Sequence, residues 1–230
     1  MLRARLVLLA LLTVTPLLSG CAGAEPTIAL LVADGSDDES RAVDVEAFTD
    51  RVEATCDECR VTVYDAEGDA VTQKSQARQA GATSADVIVV VPVDPDDLQT
   101  MTGQELPVVS LGTLVPGSDR FVGLEDGQVP RQTGSDLEAA RDVVLGEETS
   151  MTYVPTRPMS ERAADLAVAF LADAPVENGQ DVDGVESWLY RDQDVTIDTL
   201  TSVLVAQGVV TLDDLCSGDT EKRCARLGLR

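Results

Sequence analysis

Short apolar runs alternate with amphipathic stretches along the first half of the chain. Runs that are apolar at every position are typical of strands buried on both faces of a parallel sheet. Strands of this kind that alternate with helices predict an α/β fold with a doubly wound parallel sheet. The predicted strands are 27–32, 61–64, 87–91, 107–111 and 121–124, and the predicted helices are 40–55, 70–80 and a short one after 92–97.

The second half of the chain repeats this alternation less regularly. Helical spacing is strongest over 160–171, where Ser160 is placed to cap a helix whose apolar face includes Ala163 and Ala167. The acidic segment 173–186 is rich in Gly, Pro and Asn, which predicts a loop. The remaining predictions are helices at 135–145 and 198–207, strands at 151–154 and 187–190, and a last turn at 212–216.

The first twenty residues have the three parts of a secretory signal. Arg3 and Arg5 form a positive start, an apolar run extends to Leu18, and two small residues stand directly before Cys21. The apolar run is short for a membrane span, which needs about 20 apolar residues. The cysteine at this position resembles that of a bacterial lipobox, which implies cleavage before Cys21 and lipidation of its sulfur. Plain secretion and a transmembrane anchor are the competing interpretations.

Composition narrows the class of function. The formal charge is −24, which disfavours binding to nucleic acid and to anionic lipid surfaces. The chain has no histidine, so Ser-His-Asp and Cys-His catalysis and the commonest zinc ligand are excluded. No Gly-rich nucleotide loop follows the first strand. We therefore expect no enzymatic activity, no metal and no cofactor. Aromatic residues make up 3% of the chain, which counts against a strong sugar site.

Four cysteines follow Cys21 in two close pairs. An even number in an exported chain predicts disulfides, and pairing of Cys56 with Cys59 and of Cys216 with Cys224 is the simplest of three connectivities. The first pair is also a C-x-x-C motif, so a redox or metal role stays open as an alternative. Acidic residues between these two cysteines disfavour a reactive thiolate, which favours a structural clip.

Eight segments carry a family resemblance, and together they span 27–229. They are 28–31, 56–64, 65–70, 85–94, 106–109, 146–153, 213–216 and 224–228. Their order, with both cysteine pairs in place, resembles the type I periplasmic-binding-protein family, and more narrowly the xylose-type sugar receptors of ABC importers in Gram-positive bacteria. The resemblance implies an extracytoplasmic protein that binds a small polar solute such as a sugar. It also implies a membrane attachment through lipid, and an ABC permease or another membrane or extracytoplasmic protein as partner.

The resemblance further implies how the chain is divided. Residues 27–124 correspond to a complete N-terminal lobe, and 135–230 to the returning C-terminal segment that packs on it. Most of a second lobe, roughly 100 residues, is missing at the junction 125–134. With a signal peptide at 1–20 and a tether at 21–26, we expect a Rossmann-like single lobe of the periplasmic-binding-protein type with a remnant of the second lobe.

The resemblance places the ligand beyond the carboxyl ends of the strands, where doubly wound sheets bind their ligands. Arg41 matches an arginine of the family, although Ala42 replaces the aromatic residue that follows it there. The Arg41 guanidinium can donate hydrogen bonds to two sugar hydroxyls, or it can pair with neighbouring surface acids. Asp94 can accept hydrogen bonds from sugar hydroxyls, cap the short helix that follows, or hold calcium together with Asp96 and Asp97.

Two further positions depart from the family. Glu125 and Asp126 stand where it has an Asp-Asn pair, so the acid is kept and the amide is lost. Gly112 and Thr113 replace an Asp-Arg pair that faces the sugar. Two classes of function therefore stay open, a sugar receptor of an importer and a degenerate single-lobe lipoprotein that acts as an interaction or regulatory module without transport. An exposed apolar inter-lobe face favours the second class.

Overall fold

Strands and helices alternate along the part of the chain that the computed structural model describes, residues 25–33, 43–83, 85–101, 106–127 and 135–229. The strands are β1 (Thr27–Val32), β2 (Arg60–Asp65), β3 (Val87–Val90), β4 (Val108–Gly112), β5 (Arg120–Leu124), β6 (Ser150–Tyr153), β7 (Gln180–Val182), β8 (Val185–Tyr190) and β9 (Gln193–Thr196). The α-helices are α1 (Val45–Thr55), α2 (Ala70–Ala82), α3 (Pro95–Leu98), α4 (Asp136–Leu145), α5 (Thr156–Leu171), α6 (Leu212–Leu215) and α7 (Glu221–Leu227). Gln99–Met101 and Gly218–Thr220 are 3₁₀ turns, and Thr201–Val205 is a π-helical turn.

Seven strands form one sheet in the order β2-β1-β3-β4-β5-β8-β7. All neighbours are parallel except β7, which pairs antiparallel with β8. Central β1 shows the register, because Leu30 lies beside Val63 of β2 on one side and Val89 of β3 on the other. The prediction of an α/β fold with a doubly wound parallel sheet is confirmed.

The central strands are apolar throughout because helices cover both faces of the sheet. On one face, Leu30 packs in a core with Phe48 of α1 and Leu166 of α5. On the other face, Leu31 packs in a core with Leu98 of α3 and residues of α2. Each of these five side chains is 1% exposed or less, and burying one such side chain stabilises the fold by about 1.5–3 kcal/mol.

Residues 135–229 are divided between two cores. Helix α5 packs on α1 and on the sheet, and β7 and β8 extend that sheet, as expected for a returning segment. The other elements pack together: α4, α6 and α7 cover the antiparallel pair β6-β9 around Tyr153, Val195 and Leu204. We call this second body the small subdomain. Residues 135–229 thus contribute to both bodies, and the division of the chain into lobe, junction and returning segment stays a prediction.

Both predicted disulfides are present. Cys56 and Cys59 are joined at the end of α1, where the Cys56 amide still donates to Val52 at 2.8 Å, and they fix the turn into β2. Cys216 and Cys224 are joined inside the small subdomain, and both are 0% exposed. In the described residues, no helix is both long enough and apolar enough to cross a membrane.

Several predicted boundaries are wrong. Helix α1 begins at Val45 rather than residue 40, because Asp44 accepts the Ala47 amide at 2.9 Å; residues 40–42 lie outside the described part. Helix α5 begins at Thr156, so Ser160 does not cap it. Buried Ser160 instead accepts the Asp44 amide at 2.8 Å and ties α5 to α1.

Three further differences fall in the second half. The predicted helix at 198–207 is reduced to the π-helical turn Thr201–Val205. The predicted acidic loop at 173–186 contains β7 and the start of β8. Helix α7 follows the turn that was predicted to be the last element.

Candidate functional site

The carboxyl ends of β1, β2, β3, β4, β5 and β8 meet at one edge of the sheet because these strands are parallel. We call this the carboxyl-end edge. The described segments on it are 65–69, 91–94, 113–118, 125–127 and 191–192. It is the place where open α/β sheets bind ligands. Two candidate residues from the sequence, Arg41 and the lipidation candidate Cys21, lie outside the described residues.

Asp94 lies on this edge directly after β3. Its Oδ1 accepts the amide of Asp96 at 2.9 Å, so the capping interpretation is confirmed, and Asp96 and Asp97 place further negative charge in the first turn of α3. The side chain is exposed, and no described group donates to its second oxygen, Oδ2. Among the described residues, no group of three or more acidic or cysteine side chains is arranged to hold a metal ion.

Glu125 and Asp126 lie on the same edge, directly after β5. One strand, β4, lies between β3 and β5, so these two strands are about 10 Å apart, since neighbouring strands lie about 4.8 Å apart. The Glu125 amide donates to the Tyr190 carbonyl at 2.9 Å, and its Oε2 accepts from Arg191 Nε at 2.5 Å. Asp126 is exposed in the turn that follows, and it also has an interaction partner.

Arg191 is a functional candidate that sequence reasoning missed. It follows β8 on the carboxyl-end edge, and its hydrogen bond to Glu125 raises the pKa of the guanidinium above its usual value. The side chain is 77% exposed, so the ion pair is open to solvent and contributes little to stability. A polar ligand can therefore exchange with either partner at small cost.

Gln73 is a second residue that sequence reasoning missed. It lies on α2 and is 0% exposed, yet both ends of its amide are satisfied. Nε2 donates to the Val91 carbonyl and Oε1 accepts from the Val93 amide, each at 2.8 Å. These bonds fix the backbone between β3 and Asp94. The only sequence signal is its position one turn before Ala77 and two turns before Ala80, on the buried stripe of α2.

The loop after β4 offers a ligand no charged side chain. Gly112 ends the strand with φ of 81°, which favours glycine. Ser110 accepts the Val115 amide at 3.0 Å and shares a 2.5 Å hydrogen bond with Ser118, so the loop folds back on the sheet around buried hydroxyls. Thr113 is exposed beside this turn.

The carboxyl-end edge adjoins the small subdomain. The chain passes between the two bodies after Leu124, between Tyr153 and α5, and between Tyr190 and β9. These crossings lie close together, because Leu124 is in register with Tyr190 and Tyr153 with Gln193.

Tyr153 lies where the chain crosses between the lobe and the small subdomain. It is 1% exposed, and its hydroxyl group faces Gln207 at 3.4 Å. Burial is the main cause that raises its pKa to about 12. The charge of Asp136 in the small subdomain raises it further, as does that of Asp44 in the lobe, so Tyr153 lies between acids of both bodies.

No protein-family model matches the sequence, and no curated protein matches it either. Solved structures do match the fold. An ABC transporter solute-binding protein from Clostridium phytofermentans with bound β-D-glucose has a TM-score of 0.64 and 11% identity, covering 82% of this chain and 99% of that chain. One from Bacillus halodurans with bound myo-inositol has a TM-score of 0.61 and 12% identity, covering 78% and 97%.

A third match is a chain of the complex between the TorS sensor domain and TorT, solved in the absence of ligand. It has a TM-score of 0.55 and 10% identity, and it covers 74% of this chain and 92% of that chain. At such identities the likeness concerns the fold alone. The mostly parallel sheet is that of a single lobe of the periplasmic-binding-protein type.

Proposed function

We propose that the protein is an extracytoplasmic solute-binding protein that takes a small polar solute, such as a sugar, at the carboxyl-end edge. The observation that carries the proposal is the arrangement of acceptor and donor groups on that edge, beside three chain crossings. The Asp94 oxygen to which no described group donates and the exposed pair Glu125–Arg191 point to a ligand with several hydroxyl groups. Structures of the same fold hold glucose and inositol, which supports this ligand class.

The chemistry follows from these groups. A carboxylate accepts hydrogen bonds from two adjacent hydroxyls, and a guanidinium donates to two oxygens in a fixed plane. Asp94 and Glu125 supply acceptors, while Arg191, with Arg41 as proposed from the sequence, supplies donors. Asp126 adds a further carboxylate next to Glu125. No bond is made or broken in this account, so the protein binds and releases its solute without catalysis.

The affinity is expected to be weak. We propose that most of the second lobe is absent, so a ligand on the carboxyl-end edge is covered from one side only, by the small subdomain. A ligand left half in solvent loses part of the burial that closed sites provide. Dissociation constants of roughly 0.1–1 mM fit such a site better than the micromolar values of a closed cleft. An ABC permease is the proposed partner of the loaded protein.

The proposed location is the outer face of the cell membrane, with lipid on Cys21 as the anchor. A short tether up to residue 26 then leads directly into β1. Metabolic labelling with a palmitate analogue tests this part, since the Cys21→Ser variant is expected to lose the label. Label that persists in Cys21→Ser would contradict it.

Isothermal calorimetry against pentoses, hexoses and polyols tests the binding site. Asp94→Asn is the informative variant, because asparagine also caps helices and so keeps α3 while it removes the carboxylate. Asp198→Asn is the matched control, since it follows the end of β9 that is distant from the crossings. Binding that is lost in Asp94→Asn and kept in Asp198→Asn supports the proposal. No heat with any sugar at millimolar concentration, from a protein that unfolds cooperatively, contradicts it.

A second function has its own supporting observation. Asp94 and Glu125 already have partners within the chain, and one structure with the same fold comes from a complex with a sensor domain. These facts favour a single-lobe lipoprotein that acts on a protein partner as an interaction or regulatory module, without transport. Pull-down from the membranes of the producing cell, with and without the Arg191→Glu change on the proposed face, separates this function from transport. A sensor-type partner lost with Arg191→Glu supports it, and recovery of a permease alone contradicts it.

A further inference from the structure

A cavity lies away from the carboxyl-end edge, between α2 and the segment that contains α3 and the 3₁₀ turn after it. Its volume is about 650 Å³, within the range of about 300–1,000 Å³ that small-molecule sites occupy. It opens on the outer side of the sheet, over the core that contains Leu31 and Leu98. Its floor is apolar and is formed by Ala77, Ile88, Leu98, Met101 and Leu106.

The cavity exists because α2 presents small residues to this side. Ala77 and Gly81 are one turn apart on the wall of the cavity, and neither has a side chain long enough to reach Leu98 or Leu106 across it. A Cβ atom added at Gly81 would first meet a Leu106 methyl group at 3.9 Å, which is ordinary contact distance. Ile88 and Leu98 are each 1% exposed, so the cavity reaches into well-buried apolar surface.

The rim of the cavity is cationic, which is unusual in a chain with a formal charge of −24. Lys74 and Arg78 stand one turn apart on α2 above the apolar floor. Lys74 pairs with Asp97 across the cavity at 3.4 Å. No described carboxylate pairs with the Arg78 guanidinium. None of the described carboxylates therefore competes with a ligand for this charge.

We propose that this cavity binds a soluble amphipathic carboxylate, a molecule with one anionic head and an apolar body of about 10–15 heavy atoms. The apolar body contacts Leu98, Met101 and Leu106. The carboxylate accepts two parallel hydrogen bonds from the Arg78 guanidinium at the rim. A free molecule fits better than a bilayer lipid, because a protein of this net charge is repelled by an anionic membrane surface. The site is separate from the proposed sugar site, which lies at the carboxyl-end edge.

Calorimetry with decanoate on the purified full chain tests the proposal. We expect a dissociation constant of roughly 0.1–1 mM, in keeping with the modest affinity per atom of ligands of this size. Gly81→Leu puts a branched apolar side chain on the cavity wall, where its Cβ stands at ordinary contact distance from Leu106, and leucine is a better helix former than glycine, so the change should abolish binding. Arg78→Met keeps the aliphatic stem and removes the charge, and we expect affinity about three- to tenfold lower.

Two controls make the result specific. Arg162→Met, on α5, removes the same charge at a residue that does not line the cavity, and it should leave decanoate binding unchanged. Binding of 1-decanol, which lacks the charge, should be equally weak in the wild type and in Arg78→Met. Cooperative melting of each variant confirms that it is folded. Absence of decanoate binding to the wild type, or binding that survives Gly81→Leu, would overturn the proposal.

Discussion

The buried amide of Gln73 offers the sharpest test of how the carboxyl-end edge is built. The change is Gln73→Leu, which keeps the approximate volume and removes both hydrogen bonds to the backbone between β3 and Asp94. It leaves the Val91 carbonyl and the Val93 amide without partners. A buried polar group left unsatisfied costs about 1–3 kcal/mol, and Val93 is only partly buried, so we expect about 2–4 kcal/mol in total.

Chemical denaturation and thermal melting measure this cost. For a chain of this size, each kcal/mol lowers Tm by about 2–4 °C, so Gln73→Leu should melt roughly 4–16 °C below the wild type. Gln79→Leu is the matched control: the same substitution on the same helix, at an exposed position, should stay within about 0.5 kcal/mol. Equal stability of the two variants would refute the argument.

Gln73→Glu separates the hydrogen bonds of this side chain from its packing, because only the hydrogen bonds depend on pH. A protonated glutamic acid offers one donor and one acceptor, which are the two groups that Val91 and Val93 need, whereas a carboxylate offers acceptors only. The deficit of Gln73→Glu relative to the wild type should therefore shrink as pH falls from 7 to about 4, since burial favours the protonated form. A deficit that grows over this range would contradict the assigned hydrogen bonds.

Two further predictions concern the small subdomain and the disulfides. The raised pKa of Tyr153, about 12, means that its phenol ionises more easily when the chain is unfolded. The wild type should therefore lose about 2 kcal/mol relative to Tyr153→Phe as pH rises from 10 to 12, measured by denaturant titration; an unchanged difference would show that Tyr153 is hydrated. Dithiothreitol should reduce the partly exposed Cys56–Cys59 bond before the fully buried Cys216–Cys224 bond, as followed by alkylation and mass spectrometry. Loss of the second bond should cost about 2–3 kcal/mol because it closes a loop of about nine residues, and equal reduction rates would contradict the burial argument.

The parallel sheet could be predicted because its strands carry their own signal. Residues 27–32 are apolar at consecutive positions, which only a strand covered on both faces requires. The cysteine pairs were equally local, since each joins residues close in sequence. Features of this kind can be predicted from the sequence because each depends only on residues that are close together in the chain.

Two boundaries were missed although the sequence held a signal. Asp183 and Gly184 both have positive φ, 52° and 83°, and form the tight turn between β7 and β8 that an Asp-Gly pair typically makes. Pro158 fits the first turn of α5, where a proline costs nothing because the amide there has no helical partner.

The candidate site could be predicted only in part. The place of Asp94 on the carboxyl-end edge could be predicted because it closely follows a strand, and its role in binding stays a prediction. The pairing of Glu125 with Arg191 joins segments 66 residues apart, and the bonds of Gln73 reach a loop 18 to 20 residues away. Contacts of this kind depend on strand order, which periodicity does not specify. The division of residues 135–229 between two cores was missed for the same reason.

The central claim, that a sugar-like solute binds at the carboxyl-end edge, is tested most directly by NMR titration of ¹⁵N-labelled protein. The account predicts that a sugar identified by calorimetry shifts the amides of Asp94, Glu125 and Arg191, and leaves those of α7 unchanged. Shifts spread evenly over the surface, or confined to elements distant from this edge, would contradict it.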